Sequence, residues 1–413
     1  MINNKFYKDT MLLIFSSAIS QIILILSVPL ISRIYTTSEF GNFTLFNNLA
    51  LVFIPIINAR FDLMIIKASS KKEANALSQI SLKISFYIIA VILPLGLIIS
   101  IIFSDYLFEI LSLSLLLILV SLSNVFTSYL NLTKKYKHIS MINVSRSFIM
   151  VFLQVIFGFM NFGYVGLIMG FTLSYIAGLS IGYKQFKNAF TQIKDSMYLK
   201  EMFHLNIKQL KYSTPSILMN SLSLSLIVFF IGILYSSHDV GLYGMATRIL
   251  NVPVVVAGLG LSKIFMQKAN EDYRAYNSFR NILFKFSILL FLLAFIVYVP
   301  LLILNEKIIL IFLGKEWIEV ATLFLPLVIL YITRLVVSTV SLSNIVIGKQ
   351  KLDLFFQFLL LVISVISSGL ALMLNWEFTT FVLINSVGLT FGYIIFYILI
   401  FYFARNKNQE EIK

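Results

Sequence analysis

The chain has 413 residues and a net charge of +14, and hydrophobic residues make up 59% of it against 12% charged residues. A soluble domain carries about a quarter charged residues, and its core could not bury most of the 39 phenylalanines present here. The absence of cysteine excludes disulfides, thiolate metal sites and a cysteine nucleophile. We therefore predict that lipid surrounds most of the chain.

The predicted elements are apolar runs, each long enough to cross the hydrocarbon as a helix of about 20 residues. The first run lacks the cleavage pattern of a signal peptide and is predicted to remain as a membrane anchor. A shorter run, 308–313, is predicted to lie at the interface. Twelve runs meet the length criterion: 10–31, 42–66, 84–103, 107–132, 139–160, 164–183, 213–235, 242–265, 284–304, 319–346, 352–374 and 378–403.

Lysine and arginine orient this bundle, because the cytosolic loops of membrane proteins are enriched in them. With both chain ends in the cytosol, most of the 32 basic residues lie on the cytosolic side, and the outer loops hold only Arg33, Lys307 and Lys315. The net positive charge is therefore a topology signal, and no nucleic-acid partner is predicted.

One nine-residue pattern occurs twice, as YTTSEFGNF at 35–43 and as YSSHDVGLY at 235–243. Both stretches are predicted to be outer turns, in which a hydroxyl caps the following helix and an acid lies in its first turn. Because six helices separate them, the sequence predicts two six-helix lobes related by a pseudo-two-fold axis along the membrane normal, around a central cavity. The predicted divisions are an N-lobe at 1–183, a linker at 184–212, a C-lobe at 213–403 and a cytosolic tail at 404–413.

The linker contains apolar residues at helical spacing, with its lysines off that face. This pattern predicts an amphipathic helix on the inner leaflet. Its apolar face consists of Leu199, Phe203, Ile207 and Leu210.

Charged residues inside the predicted spans are the candidate functional residues, because each unpaired arginine costs about 2.5–3.5 kcal/mol in the membrane. They are Arg60, Asp62, Arg146, Arg248 and Arg334. On one helix, Asp62 cannot face Arg60, since side chains two residues apart point in different directions. Arg60 and Arg146 lie near the cytosolic end and can be interfacial or functional, whereas Arg248 lies about two turns from the outer end.

Arg334 lies near the middle of its span and cannot reach either surface. It shares a helical face with Tyr331, Ser338 and Ser341. A polar stripe in a spanning helix must face protein or a water-filled cavity, so this face is predicted to bind substrate.

Further polar residues extend this prediction to other spans. Asn48 and Asp62 recur on one face of the second span with Asn58 close by, and the repeat pairs Asn48 with Arg248. Gln21 and Gln154 are mid-span amides that either line the cavity or join helices. A cavity with this net positive charge suits an anionic substrate, since guanidinium groups match phosphate oxygens. The lack of paired intramembrane acids disfavours a cation-extruding multidrug pump.

The stretches ISRIYTTSEFGNFTLF, NARFDLMIIKASSKKEA, VGLYGMATRIL and SNIVIGKQK resemble the Wzx-type polysaccharide-unit flippases of the multidrug/oligosaccharidyl-lipid/polysaccharide (MOP) exporter superfamily. The resemblance implies a MATE-like, two-lobed transporter that moves an undecaprenyl-diphosphate-linked oligosaccharide from the inner to the outer leaflet of the bacterial cytoplasmic membrane. The unit would serve O-antigen, capsule or another surface polysaccharide. The implied partners are membrane lipids, a polysaccharide polymerase and a chain-length regulator, with no cofactor, metal or enzymatic activity.

Three alternatives remain open at this stage. An integral-membrane glycan polymerase or ligase typically has a large external loop, and the longest one predicted here is 305–318. A peptidoglycan-precursor exporter usually has fourteen helices rather than twelve. A multidrug exporter is the third alternative. In such an exporter, as in a flippase, Asp62 would be the only intramembrane acid available for ion coupling, and Asp62 is predicted to lie close to the inner interface.

Overall fold

The computed structural model describes residues 4–102, 106–347, 349 and 351–405, and these residues are almost entirely helical. Eleven helical segments among them are long and apolar enough to cross a membrane. They correspond to eleven of the twelve predicted spans, and the prediction of an all-α integral membrane protein is confirmed.

The helices pack into two compact units, Met1–Ser225 and Leu226–Lys413. The division falls inside α10 (Thr214–Leu234), the helix predicted to begin the second lobe. The predicted bounds of the lobes and the linker stay predictions, and the tail predicted at 404–413 lies outside the described residues from 406 onward.

The first unit is built around α6 and α8, which pack against each other. Helix α8 also packs against α3 and α7, while α5 packs against α6 and α1 against α7. The helices that precede α10 are α1 (Asn4–Leu26), α2 (Val28–Ile34), α3 (Thr37–Phe53), α4 (Phe61–Ile65), α5 (Lys71–Ile102), α6 (Leu107–Leu132), α7 (Tyr136–Phe159), α8 (Gly163–Ala189) and α9 (Ser196–Leu205).

The span predicted at 42–66 is not one helix, and this part of the prediction is wrong. Helix α3 ends at Phe53, successive turns follow, and α4 begins only at Phe61. Ala59 and Arg60 have left-handed backbone conformations, with φ of 44° and 65°. Because non-glycine residues avoid this region, the chain cannot continue as a helix through it. The prediction that Asn48 and Asp62 share one face of a single helix is therefore wrong.

The first copy of the repeated turn, 35–43, forms a reciprocal cap at the start of α3. The Thr36 hydroxyl accepts from the backbone N–H of Glu39, and the Glu39 carboxylate accepts from the Thr36 N–H at 2.8 Å. Tyr35 extends between α7 and α8 and packs closely against Gly158. A side chain at Gly158 would crowd it, because an added Cβ would lie 3.0 Å from the tyrosine ring. The cap satisfies the backbone N–H groups of Thr36 and Glu39. The packing of Tyr35 fixes the turn to its own unit.

The second copy of the repeated turn, 235–243, forms the same cap at the start of α11. Ser236 accepts from the Asp239 N–H at 3.2 Å, and Asp239 accepts from the Ser236 N–H at 3.2 Å. Tyr235 packs against the rings of Phe378 and Phe381 at the start of α17. The repeat read from the sequence therefore has the same local geometry in both units.

The amphipathic helix predicted in the linker is α9, and it is shorter than predicted. It ends at Leu205, so Ile207 and Leu210 lie beyond it, where a π-helical turn at Gln209–Ser213 precedes α10. Leu199 and Met202 are buried against α5, and the Phe203 ring stacks on Phe61 at 5.6 Å. Helix α9 is thus an integral part of the first unit.

The second unit is built around α14, which packs against α11, α12 and α17. A 3-10 helix at Lys315–Leu323 leads into α14, and together they form one membrane-spanning segment. The short run predicted to be interfacial forms a separate helix, α13. The helices of this unit after α10 are α11 (Ser237–Tyr276), α12 (Arg280–Ile303), α13 (Asn305–Phe312), α14 (Phe324–Val340), α15 (Ser343–Val346), α16 (Lys351–Leu374) and α17 (Phe378–Phe403).

Candidate functional site

Arg334 lies on α14 within a group of tyrosines. Its guanidinium carbon is 5.5 Å from the centre of the Tyr331 ring, one turn earlier on the same helix. Tyr243 on α11, Tyr298 on α12 and Tyr393 on α17 lie in the same neighbourhood, on the helices that pack against α14. All four tyrosines are buried, whereas Arg334 itself is half-buried. We call these five residues the Arg334–tyrosine cluster.

The cluster exists because α14 is the centre of its unit, so three neighbouring helices each present a tyrosine to it. The Tyr298 hydroxyl donates to the backbone carbonyl of Leu250 at 2.7 Å, which fixes its ring beside α14. The rings of Tyr298 and Tyr331 are 6.5 Å apart. The cation thus lies against the face of the Tyr331 ring, whose quadrupole attracts positive charge.

No carboxylate neutralises this cation within the described part of the chain. The ion pairs found there involve His238 and Lys268, and none involves Arg334. Tyrosine attracts a guanidinium without cancelling its charge. A half-buried and uncompensated guanidinium can therefore accept an anion, and it can do so through two parallel hydrogen bonds to phosphate or carboxylate.

The serines predicted to share the Arg334 face bond along their own helix. Ser338 donates to the Arg334 carbonyl at 2.6 Å, and Ser341 donates to the Ser338 carbonyl at 2.9 Å. Both residues are half-buried. The stripe ends at the buried Asn344, whose amide donates to Asp353 at 2.7 Å. Each serine oxygen can still accept a hydrogen bond.

Arg146 repeats the aromatic arrangement in the first unit. Its guanidinium carbon lies 4.7 Å from the centre of the Tyr175 ring on α8, and Arg146 is half-buried on α7. Phe171 packs edge-on against Tyr175 at 6.0 Å. Among the residues that the structure describes, no acid forms an ion pair with Arg146.

Arg60 lies in the left-handed turn before α4, so its distance from the cytosolic end cannot be taken from helical rise. The rule used to separate Asp62 from Arg60 holds only along one helix, so it does not apply in this turn. Among the described residues, no ion pair joins Arg60 and Asp62. The Nε atom of Arg60 is buried with no hydrogen-bond partner within the described chain. Arg60 thus lies in the first unit with part of its guanidinium buried.

Asn58 lies at the centre of a buried hydrogen-bond network in the first unit. Its amide donates to Ser81 on α5 at 3.0 Å and to Ser121 on α6 at 2.9 Å. Its carbonyl oxygen accepts from Asn124 at 3.1 Å, and Ser121 donates onward to Ser85 at 2.7 Å. With 2% of its surface exposed, Asn58 joins helices in this conformation and does not face open space.

The remaining predicted residues lie on four different helices. They are Gln154, Asn48, Gln21 and Arg248. Gln154 is 1% exposed and donates to the Leu167 carbonyl on α8, so it too joins helices. Asn48 is half-buried and donates to Thr44 within α3, and Gln21 is half-buried on α1. Arg248 is half-buried on α11. The roles predicted for these residues in substrate binding stay predictions.

Sequence comparison assigns the chain to a family. A family model described as "Polysaccharide biosynthesis protein" matches residues 30–322, which is most of the chain. The chain belongs to this polysaccharide biosynthesis family. The resemblance to the Wzx-type flippases of the MOP superfamily is thereby confirmed. No curated protein matches the chain.

Solved structures with the same fold come from the MOP superfamily. The lipid II flippase MurJ in an inward closed conformation has a TM-score of 0.72 at 14% identity, over 95% of this chain and 87% of MurJ. An inward-facing multidrug resistance MATE transporter has a TM-score of 0.60 at 17% identity, over 95% of this chain and 93% of the transporter. A MOP transporter from Pyrococcus furiosus has a TM-score of 0.58 at 16% identity, over 96% and 93% of the two chains. At these identities the comparison shows a shared fold.

Sequence reasoning about this family member missed the tyrosines around Arg334 and Arg146. Tyr243, Tyr298, Tyr393 and Tyr175 were not among the predicted site residues. Tyrosine in membrane proteins concentrates at the two interfaces. A tyrosine deep inside an apolar run is therefore unusual, and this position was the sequence signal that could have marked it as a site residue. Tyr393, in the middle of the run 378–403, is the clearest example.

Proposed function

We propose that this polysaccharide biosynthesis protein is a flippase for an anionic lipid-linked oligosaccharide. The substrate is an undecaprenyl-diphosphate-linked repeat unit that crosses from the inner to the outer leaflet of the bacterial cytoplasmic membrane. The observation that carries the proposal is the Arg334–tyrosine cluster, in which a half-buried guanidinium lacks a carboxylate partner within the described chain. The family match and the fold shared with a protein named as a lipid II flippase support a transporter.

The cluster provides one direct contact for such a substrate. The guanidinium of Arg334 donates in a planar fork to two oxygens of the diphosphate or of an acidic sugar. The buried tyrosines support that contact, because the Tyr331 ring attracts the guanidinium without cancelling its charge. No covalent step is required of the chain, because the diphosphate linkage and the oligosaccharide cross unchanged.

The remaining arginines extend the route in this proposal. Under the predicted topology, Arg60 and Arg146 meet the anionic head group near the cytosolic side, Arg334 binds it at mid-depth, and Arg248 lies toward the outer side. The surface glycan that the unit serves is O-antigen, capsule or a related polysaccharide. A polymerase and a chain-length regulator would act on the unit after it has crossed.

The test replaces Arg334 by glutamine in cells that lack the chromosomal copy of the protein. Arg33→Gln is the matched control, because Arg33 is exposed at the end of α2 and donates to the Pro29 carbonyl of its own helix. We expect R334Q to reduce surface glycan by about tenfold or more, since charge-assisted hydrogen bonds contribute about 1.5–3 kcal/mol. Isotope-labelled lipid-linked units should remain on the cytosolic leaflet.

R33Q should restore display to the wild-type level, and both variants should be present in the membrane at equal amounts. Normal glycan display by R334Q would contradict the proposal. Single units accumulating on the outer leaflet would instead indicate a polymerase.

A further inference from the structure

We propose that the first unit has a binding site for an anionic phospholipid of the inner leaflet, formed by two grooves on either side of Lys83 and Tyr87. This site is separate from the Arg334–tyrosine cluster, which lies in the other unit. The first groove runs between α5 and α9 and has a volume of about 450 Å³. The second runs between α5 and the segment after α8 and has a volume of about 440 Å³.

The two grooves share one ridge. Lys83 and Tyr87 line both of them, and they lie one turn apart on α5. Ile84 and Phe203 line the first groove, whereas Phe86 and Phe190 line the second. The ridge therefore has an ammonium group at one end and an aromatic ring next to it, with an apolar channel on each side. A phospholipid has the matching form, with one phosphate and two acyl chains.

The depth of the ridge fits the level of lipid head groups. Under the predicted topology, Lys83 directly precedes the span at 84–103, which puts its ammonium at the cytosolic interface and Tyr87 about 6 Å deeper by helical rise. Tyrosine favours this level of the bilayer because one end of its ring is apolar and the other is polar. Tyr87 has 67% of its surface exposed, so the ridge is open to lipid.

The charge at this level selects an anionic lipid. Lys200 on α9 lines the first groove together with Lys83, and both lysines are exposed. None of the residues that line either groove is an aspartate or a glutamate. The nearby Glu73 accepts from the backbone N–H of Ser69 at 2.8 Å and caps its own loop. Basic pockets on the cytosolic side of membrane proteins attract anionic head groups in this way.

Both walls of the site are fixed to α5 by specific contacts. Helix α9 is held to α5 by Lys72, whose ammonium lies 4.3 Å from the centre of the Tyr198 ring, and to α4 by the Phe61–Phe203 stack. On the other side, the Gln79 side chain accepts from the Ile193 N–H at 3.3 Å. The grooves are thus preformed, which lowers the entropic cost of binding a lipid.

The experiment measures lipid retention by the full chain purified in detergent, using native mass spectrometry. The protein is titrated with phosphatidylglycerol and, in parallel, with phosphatidylcholine of the same chains. The test variant carries Lys83→Gln and Lys200→Gln, and the control variant carries Lys208→Gln and Lys211→Gln, which line neither groove. Each lysine near a head group contributes about a fivefold change in affinity, so the test pair should bind phosphatidylglycerol about 25-fold more weakly.

Three results would overturn this proposal. They are equal phosphatidylglycerol retention by the test and control pairs, equal binding of phosphatidylcholine by the wild-type chain, and displacement of phosphatidylglycerol by farnesyl diphosphate, which would make the grooves a substrate site. If the test pair proves unstable, the single variant Lys200→Gln replaces it, with an expected change of about fivefold. This measurement is independent of glycan display, so its failure leaves the flippase proposal standing.

Discussion

The hydroxyl of Tyr35 donates a hydrogen bond to the backbone carbonyl of Gln154, 2.6 Å away and 119 residues along the chain. Tyr235 makes the equivalent bond to the carbonyl of Trp376 at 2.9 Å. In each unit, a tyrosine just before the second predicted span is thus bonded to the backbone of the fifth predicted span or the turn that follows it. The nine-residue repeat encodes this tertiary contact as well as a helix cap.

Replacing these tyrosines by phenylalanine tests the contact. We expect Tyr35→Phe and Tyr235→Phe each to lower the free energy of unfolding by about 0.5–1.5 kcal/mol, the net value of one hydrogen bond. Unfolding in mixed detergent micelles measures the change. Glycan display should stay near the wild-type level, because the ring and its packing are retained. A loss of display at unchanged stability would show that the hydroxyls act in transport.

Two substitutions at Arg60 separate the effect of its charge on transport from the effect of its backbone conformation on stability. Arg60→Gly and Arg60→Ala both remove the guanidinium, but only glycine adopts a φ of 65° without strain. We expect Arg60→Gly to be about 1 kcal/mol more stable than Arg60→Ala in micelle unfolding. If Arg60 contributes charge to the route, the two variants should lose glycan display equally. Equal stability of the two variants would argue against the left-handed turn.

Asn58 should be important for stability. Asn58→Ala removes partners from Ser81, Ser121 and Asn124, and buried polar groups left without a partner cost about 1–3 kcal/mol. Asn48→Ala is the matched control, because Asn48 is half-buried and its amide donates along its own helix to the Thr44 carbonyl. We expect a change below about 0.5 kcal/mol there. Thermal unfolding of the purified variants compares the two, and equal losses would contradict the network.

The tyrosines around Arg334 can be tested without removing the charge. Tyr331→Phe keeps the aromatic face, whereas Tyr331→Leu removes the cation–π contact, which contributes about 0.5–2 kcal/mol. We expect glycan display to fall by about twofold to 30-fold in Tyr331→Leu and to be retained in Tyr331→Phe. Arg334→Lys should give an intermediate level, because an ammonium keeps the charge but lacks the planar fork. If Tyr331→Leu displays normal glycan, the ring does not support Arg334 in transport.

Hydropathy predicts the spanning helices of this chain well. A helix that crosses the hydrocarbon must be long and apolar, and both properties can be read from the sequence of each run. The runs predicted at 107–132 and 378–403 coincide with α6 and α17. The twofold repeat was readable for a related reason, since a capping pattern depends on residues close together in the sequence.

The break between α3 and α4 could not be predicted in the same way. Residues 54–60 are apolar enough to continue a run, and Pro55 was the only local signal. The turn is fixed by Asn58, which bonds to α5 and α6, and by Phe61, which stacks on α9. The tyrosines near Arg334 likewise come from helices far apart in the chain, and only packing brings them together. Tertiary contacts of this kind leave no periodic pattern in the sequence.

Aromatic contacts at Arg334 have a consequence for the speed of exchange. A carboxylate partner would have to be displaced each time an anion arrived, and it would compete again before the anion left. Tyrosine faces impose no such exchange of ions, so an incoming phosphate can pair with the guanidinium while the rings remain in place. In the proposed transport cycle, the cation is thereby kept ready between successive cargo molecules, since no carboxylate among the described residues has to be displaced.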